Sequence, residues 1–155
     1  MRCFFISTYS KAVIRGSEKY PDIFGYAVFV PYFGKTMATF SVYGLPVGEG
    51  CSCKVFGMHI HSGGQCSGNT EDPFADAGSH YDKGSCPHPC HSGDMPPLFP
   101  DKGGTAQLAF VTDRFTPDEI MGRTVIIHAM PDDLHTQPSG NSGAKIACGV
   151  IEKLG

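Results

Sequence analysis

Six of the seven histidines in this chain lie in or beside one long irregular stretch of sequence and at one strand end. Only His135 lies outside these places. Imidazole is the commonest protein ligand for metal ions, and clustered histidines usually have a metal or a hydrogen-bond partner. The first hypothesis is therefore a metal-binding protein. The six clustered histidines are His59, His61, His80, His88, His91 and His128.

The pair His59-Ile-His61 stands at the end of a segment that reads as a β-strand. Residues i and i+2 of a strand point to the same face, so two imidazoles can converge on one ion from a rigid support. The alternative is a pair of polar side chains on an open sheet face, because short histidine motifs also arise by chance.

The segment from His80 to Asp94 is more specific, because it holds three histidines and a carboxylate within fifteen residues. Glycines and prolines interrupt it and let the backbone fold around a centre. Imidazole and carboxylate ligands suit a closed zinc site. Cys86 and Cys90 flank His88 and add soft ligands nearby. The alternative is a polar turn in which the histidines occur together by chance.

His128 ends an apolar segment, Val125-Ile-Ile-His128. Taken alone it reads as a core histidine that is satisfied by a backbone carbonyl. Beside the other two histidine groups it becomes a candidate fourth ligand of a metal site.

The elements that must position these side chains read as strands and turns. Glycine and proline together supply 32 of the 155 residues, which makes long helices improbable. One helical turn is predicted at 116–119, where Thr116-Pro-Asp-Glu119 has the capping-box pattern. The stretch 62–100 is far longer than an ordinary connection, and such loops are usually functional. About eight strands with regular turn signals predict an all-β sandwich or barrel. The predicted strands are 11–15, 24–30, 36–43, 55–61, 98–99, 105–112, 124–129 and 147–152.

Composition excludes several classes of protein. The formal charge is −3, with no run of lysine or arginine, which argues against nucleic acid as the main partner. No apolar run approaches the roughly 18 residues that cross a bilayer, so no membrane association is expected. The length suits a single domain over 1–155. The N-terminus is too short in apolar residues for a secretory signal, so a cytoplasmic location is expected unless a signal precedes the given sequence.

Six short segments of the chain, taken in order, resemble the copper/zinc superoxide dismutase family. The long insert after His61, with Cys66 five residues on, resembles the bacterial branch of that family. The resemblance runs from about residue 11 to residue 151, and six motifs in register are highly specific. The segments are Gly57-Met-His-Ile-His61, Ala77-Gly-Ser-His-Tyr-Asp82, His91-Ser-Gly-Asp94, Gly122-Arg-Thr-Val-Ile-Ile-His-Ala129, Asp132-Asp-Leu134 and Gly140-Asn-Ser-Gly-Ala-Lys-Ile-Ala-Cys-Gly-Val-Ile151.

The resemblance implies an eight-stranded Greek-key β-sandwich or barrel with long metal-binding loops. It implies that Asp132 ties a copper histidine to a zinc histidine, and that Cys66 and Cys148 form a disulfide. His80 would bridge both metals and carry a proton during catalysis. The implied copper ligands are His59, His61, His80 and His128, and the implied zinc ligands are His80, His88, His91 and Asp94.

The chain departs from the family pattern at several places. Only two residues separate His88 from His91, and the segment 132–143 is short and holds little charge. Lys145 stands where the family has the arginine that guides the anionic substrate, so activity below the family's usual rate is expected. Five cysteines have no counterpart in the basic pattern: Cys3, Cys51, Cys53, Cys86 and Cys90.

The implied function is dismutation of superoxide to oxygen and hydrogen peroxide by copper, with an adjacent structural zinc. Superoxide is the expected partner, and a homodimer is the candidate assembly. The main alternative is a non-catalytic protein of the same fold that stores or delivers copper or zinc, since thiolates hold Cu(I) well. A structural interaction module with a decayed site is disfavoured, because no implied metal ligand is missing.

Overall fold

The computed structural model describes residues 8–155, and that part of the chain contains seven β-strands and one short 3₁₀ turn. All seven strands lie within three residues of a predicted segment at both ends. The elements are β1 (Ser10–Gly16), β2 (Phe24–Tyr32), β3 (Lys35–Tyr43), β4 (Met58–His61), η1 (Ala75–Ala77), β5 (Ala106–Thr112), β6 (Thr124–His128) and β7 (Lys145–Lys153). The prediction for Cys3 lies outside the described residues.

All seven strands belong to one antiparallel sheet in the order β4-β6-β7-β1-β2-β3-β5. The two edge strands, β4 and β5, follow each other in sequence, so the β4–β5 connection passes from one edge of the sheet to the other. Side chains from both edges, such as Ile60 of β4 and Ala106 of β5, share one hydrophobic core. The sheet therefore curls around that core.

The strands on the β1–β3 side bury alternate residues, as a sheet with one solvated face requires. In β3 the buried positions are Thr36, Ala38, Phe40 and Val42. Strand β6 instead buries every residue. Val125 and Ile127 face the main core, whereas Ile126 packs in a second cluster beneath the long loop. The loop thus covers the outer face of β4 and β6.

The long loop is tied to the sheet at several points. The Cys66–Cys148 disulfide joins it to β7 and packs with Phe74 and Ile126, so the implied disulfide is present. Two isolated bridges, His61 with His80 and His59 with Asp94, attach the loop to both ends of the His59–His61 pair on β4. These contacts bring His80 and Asp94 of the loop beside the two histidines of β4.

The expected eighth strand at 98–99 is a single bridge, in which Leu98 exchanges both backbone bonds with Phe56. Pro96, Pro97 and Pro100 surround Leu98, and proline supplies no N–H for a longer ladder. The expected strand 55–61 shortens to β4, and Phe56 takes part only in this single bridge.

The predicted capping box at 116–119 is present, and the segment forms hydrogen-bonded turns without a helix. The Thr116 N–H donates to Glu119 Oε2 at 2.8 Å, and the Glu119 N–H donates to Thr116 Oγ1 at 3.3 Å. Gly122 ends the segment in the left-handed region. Within residues 8–155, no helix has the length and apolar character needed to span a bilayer.

Candidate metal centre

Strand β4 supplies two histidines to one side of the sheet. Met58 and Ile60 point into the main core, so His59 and His61 point to the opposite face, under the long loop. His128 reaches the same face from the end of β6. There the register with β7 shifts, because Ile127 pairs with Ala147 but His128 pairs with Lys145. This bulge sets His128 and Lys145 side by side.

Four buried histidines form the first cluster, and each offers a ring nitrogen within 4.8 Å of the others. The His61 and His128 Nε2 atoms lie 3.2 Å apart, and the rings of His59 and His80 stack with centroids 3.8 Å apart. The first cluster contains His59, His61, His80 and His128.

Hydrogen bonds on the outer nitrogens fix which atom each ring turns inward. His61 Nδ1 donates to the Gly78 carbonyl at 2.8 Å, and His128 Nδ1 donates to the Gly143 carbonyl at 3.2 Å. His59 Nε2 donates to Asp132 Oδ2 at 2.7 Å. The remaining nitrogen of each ring then has a free lone pair directed into the cluster. A metal ligand needs this arrangement.

The second cluster shares His80 with the first and forms around the Asp94 carboxylate. His80 Nδ1 lies 2.9 Å from Asp94 Oδ1, while His88 Nδ1 and His91 Nδ1 lie 3.1 and 3.3 Å from Asp94 Oδ2. The last two contacts lack hydrogen-bond geometry, and both nitrogens are buried without a hydrogen-bond partner within the described residues. Lone pairs this close repel unless a cation lies between them. The second cluster therefore fits a cation, and its N and O donors suit zinc.

Asp132 bonds to one histidine of each cluster. Its Oδ2 accepts from His59 in the first cluster, and its Oδ1 accepts from His88 Nε2 at 2.8 Å in the second. Its side chain is 1% exposed. A Cβ on Gly140, which has φ +67°, would lie 2.0 Å from Asp132 Oδ1. Only glycine therefore fits beside this carboxylate.

The short turn between His88 and His91 presents both rings because two distant residues hold its backbone. Gln137 exchanges two hydrogen bonds with the His88 backbone, at 3.0 and 2.7 Å. Arg114 Nη1 donates to the carbonyls of Pro89 and His91 at 2.8 and 3.3 Å. No local pattern in the sequence points to these supports, since each lies more than 20 residues from its partner.

Burial keeps His59, His61 and His128 of the first cluster neutral. Desolvation, reinforced by neighbouring histidines, lowers the pKa of His59 and His61 to about 2. It also lowers the pKa of His128 to about 4. Burial would raise the pKa of Asp94, but the hydrogen bond and charge of His80 outweigh it and lower that pKa. These three histidines and Asp94 therefore hold their metal-binding protonation states at neutral pH.

A cavity of about 550 Å³ opens over the first cluster. His61, His80 and His128 lie at its base, and Lys145 lies in its wall. The Lys145 ammonium donates to Asp72 Oδ2 at 2.5 Å. The sequence predicted that Lys145 guides the anionic substrate, and that role stays a prediction.

Comparisons with known proteins agree with this geometry. The family model for copper/zinc superoxide dismutase (SODC) matches residues 25–151. The Cu-Zn superoxide dismutase of Deinococcus radiodurans is 33% identical over 147 residues, which cover 84% of this chain and 78% of that protein. The Cu-Zn superoxide dismutase of Pasteurella multocida is 33% identical over 136 residues, covering 77% and 73%.

A solved structure extends the likeness to the fold. The crystal structure of the clock protein EA4 matches with a TM-score of 0.79 and 28% identity, covering 99% of both chains. The family model spans all the residues that form the two histidine clusters and the disulfide. On these grounds the chain belongs to the copper/zinc superoxide dismutase family.

Proposed function

We propose that this protein dismutates superoxide at a copper ion held by the first cluster, beside a zinc ion held by the second. The observation that carries the proposal is the shared histidine, His80, whose two ring nitrogens face different clusters. Its Nδ1 lies on the Asp94 side, and its Nε2 is buried without a hydrogen-bond partner among residues 8–155. One imidazole can therefore serve two ions at once.

When bound, copper supplies a one-electron cycle that takes an electron from one superoxide and gives it to a second, and zinc supplies charge without redox chemistry. His80 Nε2 is the atom that holds a proton in one half of the cycle and gives it to the product in the other. His61, His128 and His59 keep fixed tautomers through their outer hydrogen bonds. The chain thus supplies an oriented and preorganised ligand set.

The second cluster orients His80. His80 Nδ1 and Asp94 Oδ1 lie 2.9 Å apart, and both atoms would hold the zinc ion. The Asp94 side chain and backbone also bond to the His91 backbone. Asp132 carries this rigidity across to His59. The cavity admits a small anion above the first cluster, and its base is lined by the histidine rings.

The test is a direct measurement of superoxide decay by pulse radiolysis, on protein with its copper and zinc content determined. We expect catalytic decay with one copper per chain. His61→Gln should lose copper and activity. His135→Gln is the matched control, because His135 has a side chain that is 79% exposed and lies outside both clusters. Decay no faster than that of the metal-free protein would reject the proposal.

A second candidate function is non-catalytic copper storage or delivery. Four cysteines are exposed and free in the described residues: Cys51, Cys53, Cys86 and Cys90. Thiolates favour Cu(I), so this candidate predicts tight Cu(I) binding without turnover. It also predicts that Cys51→Ser with Cys53→Ser weakens Cu(I) binding, whereas His61→Gln does not.

A further inference from the structure

The wall of the cavity over the first cluster contains an ion pair that the family resemblance does not supply. Lys145 Nζ bonds to Asp72 Oδ2, and the lysine side chain is 15% exposed against 40% for the aspartate. Lys145 begins β7 opposite His128, whereas Asp72 comes from the long loop. The two groups therefore meet across 73 residues of sequence.

The loop holds Asp72 in a fixed position. Asn69 Oδ1 accepts from the backbone N–H of both Glu71 and Asp72 at 2.9 Å. Asp72 Oδ1 accepts from the Phe74 N–H at 3.1 Å, and Phe74 is buried against the disulfide cluster. The carboxylate is thus anchored by short-range bonds, so the flexible lysine side chain comes to it.

This arrangement changes the charge that an entering anion meets. Among the described residues that line the cavity, Lys145 is the only lysine or arginine, while Glu71 and Asp72 are both acidic. The Lys145 hydrogen bond and charge outweigh burial and lower the pKa of Asp72, so the carboxylate stays ionised. One positive charge faces two negative charges, and long-range attraction of an anion is therefore offset.

We propose that Asp72 is a positioning residue that controls anion entry by keeping the Lys145 ammonium on the cavity wall. An anion that approaches the first cluster competes with Asp72 for the ammonium. The inference rests on the proposed dismutation for its biological meaning. It is tested here through anion binding, which does not depend on turnover.

Four variants separate the action of Asp72 from a general effect of charge. Asp72→Asn removes the negative charge and keeps an oxygen to accept from Phe74. Glu71→Gln is the matched control, because it removes an equal charge from the neighbouring residue on the same wall. Lys145→Met and the double variant Asp72→Asn with Lys145→Met complete a double-mutant cycle. Copper and zinc content is measured for each protein.

The probe is azide, titrated by absorbance into the copper- and zinc-loaded proteins at low ionic strength. Loss of one negative charge about 10 Å away should raise azide affinity roughly twofold, which is the expectation for Glu71→Gln. Asp72→Asn should raise it roughly fivefold or more, because the released ammonium also bonds to the anion. In the Lys145→Met background the gain from Asp72→Asn should shrink to roughly twofold. Salt should weaken azide binding more steeply in Asp72→Asn than in the wild type.

Equal gains for Asp72→Asn and Glu71→Gln would overturn the inference, as would a gain that persists in the Lys145→Met background. Either result would mean that Asp72 acts through its charge alone. If azide binds as expected but superoxide decay is not catalysed, the proposed function fails while the control of anion entry stands. A wild-type protein that binds no copper would reject both.

Discussion

The substitution Asp132→Asn tests how the two clusters depend on one carboxylate. Asp132 Oδ1 accepts from His88 Nε2 and from the Leu134 N–H, at 2.8 and 2.7 Å, whereas Oδ2 accepts only from His59 Nε2. Asparagine has one acceptor oxygen. That oxygen satisfies two donors if it takes the Oδ1 position, so the new NH₂ group faces the N–H of His59.

Two N–H groups cannot bond to each other, so His59 must move its proton to Nδ1. This removes the lone pair that His59 turns towards the first cluster. Loss of such a supporting bond usually reduces metal affinity about 10- to 100-fold, and we expect that loss for copper. Zinc affinity should change less, because His88 keeps its acceptor. In the metal-free protein the mismatch should lower the free energy of unfolding by about 1–3 kcal/mol.

Competition with chromophoric chelators measures the copper and zinc affinities, and urea denaturation of the metal-free protein measures stability. Asp133→Asn is the control, since it makes the same chemical change one residue away, at a half-buried side chain that bonds only within its own turn. Copper affinity within twofold of wild type would refute the tautomer argument. So would a loss equal to that of Asp133→Asn.

Three further predictions concern metal, pH and the cavity cation. Removing both metals with a chelator should lower the melting temperature by roughly 10 °C or more, because the loop ligands fold around the ions; an unchanged melting curve would count against this. In the folded metal-free protein, the lowered pKa values keep His59, His61 and His128 neutral. In the unfolded chain the same histidines have the ordinary pKa of 6.5 and bind protons below that pH. Stability should therefore be greatest above pH 6.5 and fall with acid, by about 2 kcal/mol per histidine at pH 5 in urea titrations; equal stability at pH 7 and pH 5 would contradict it. Lys145→Arg should raise superoxide decay about threefold to tenfold, since a guanidinium can bond to Asp72 and still present N–H groups to the anion; no increase with copper fully loaded would argue against a role for this cation.

Much of the sheet follows from local pattern. Alternating apolar residues predict β1, β2 and β3 because each strand has one buried and one solvated face. The prediction was less accurate where the surroundings set the ends of a strand. β4 is shorter than expected, and the expected strand at 98–99 is one bridge, because prolines around Leu98 remove the donors of a longer ladder.

The metal-binding residue types and their spacing are also present in the sequence alone. His59-Ile-His61 needs only the two-residue period of a strand to point both rings one way, and six ordered motifs indicated the family before any coordinates. The proposed ligand roles remain a prediction. Their proximity is a property of the structure, which gathers them into two clusters that share His80.

Only the tertiary structure decided which hydrogen bonds hold the candidate ligands and which carboxylate pairs with Lys145. The Asp132 bonds to His59 and His88, and the Gln137 bonds to the His88 backbone, join residues 44 to 73 positions apart. The pairing of Lys145 with Asp72 joins residues 73 positions apart. Local sequence cannot specify such contacts, because they form only when the disulfide and the isolated bridges fold the long loop onto the sheet.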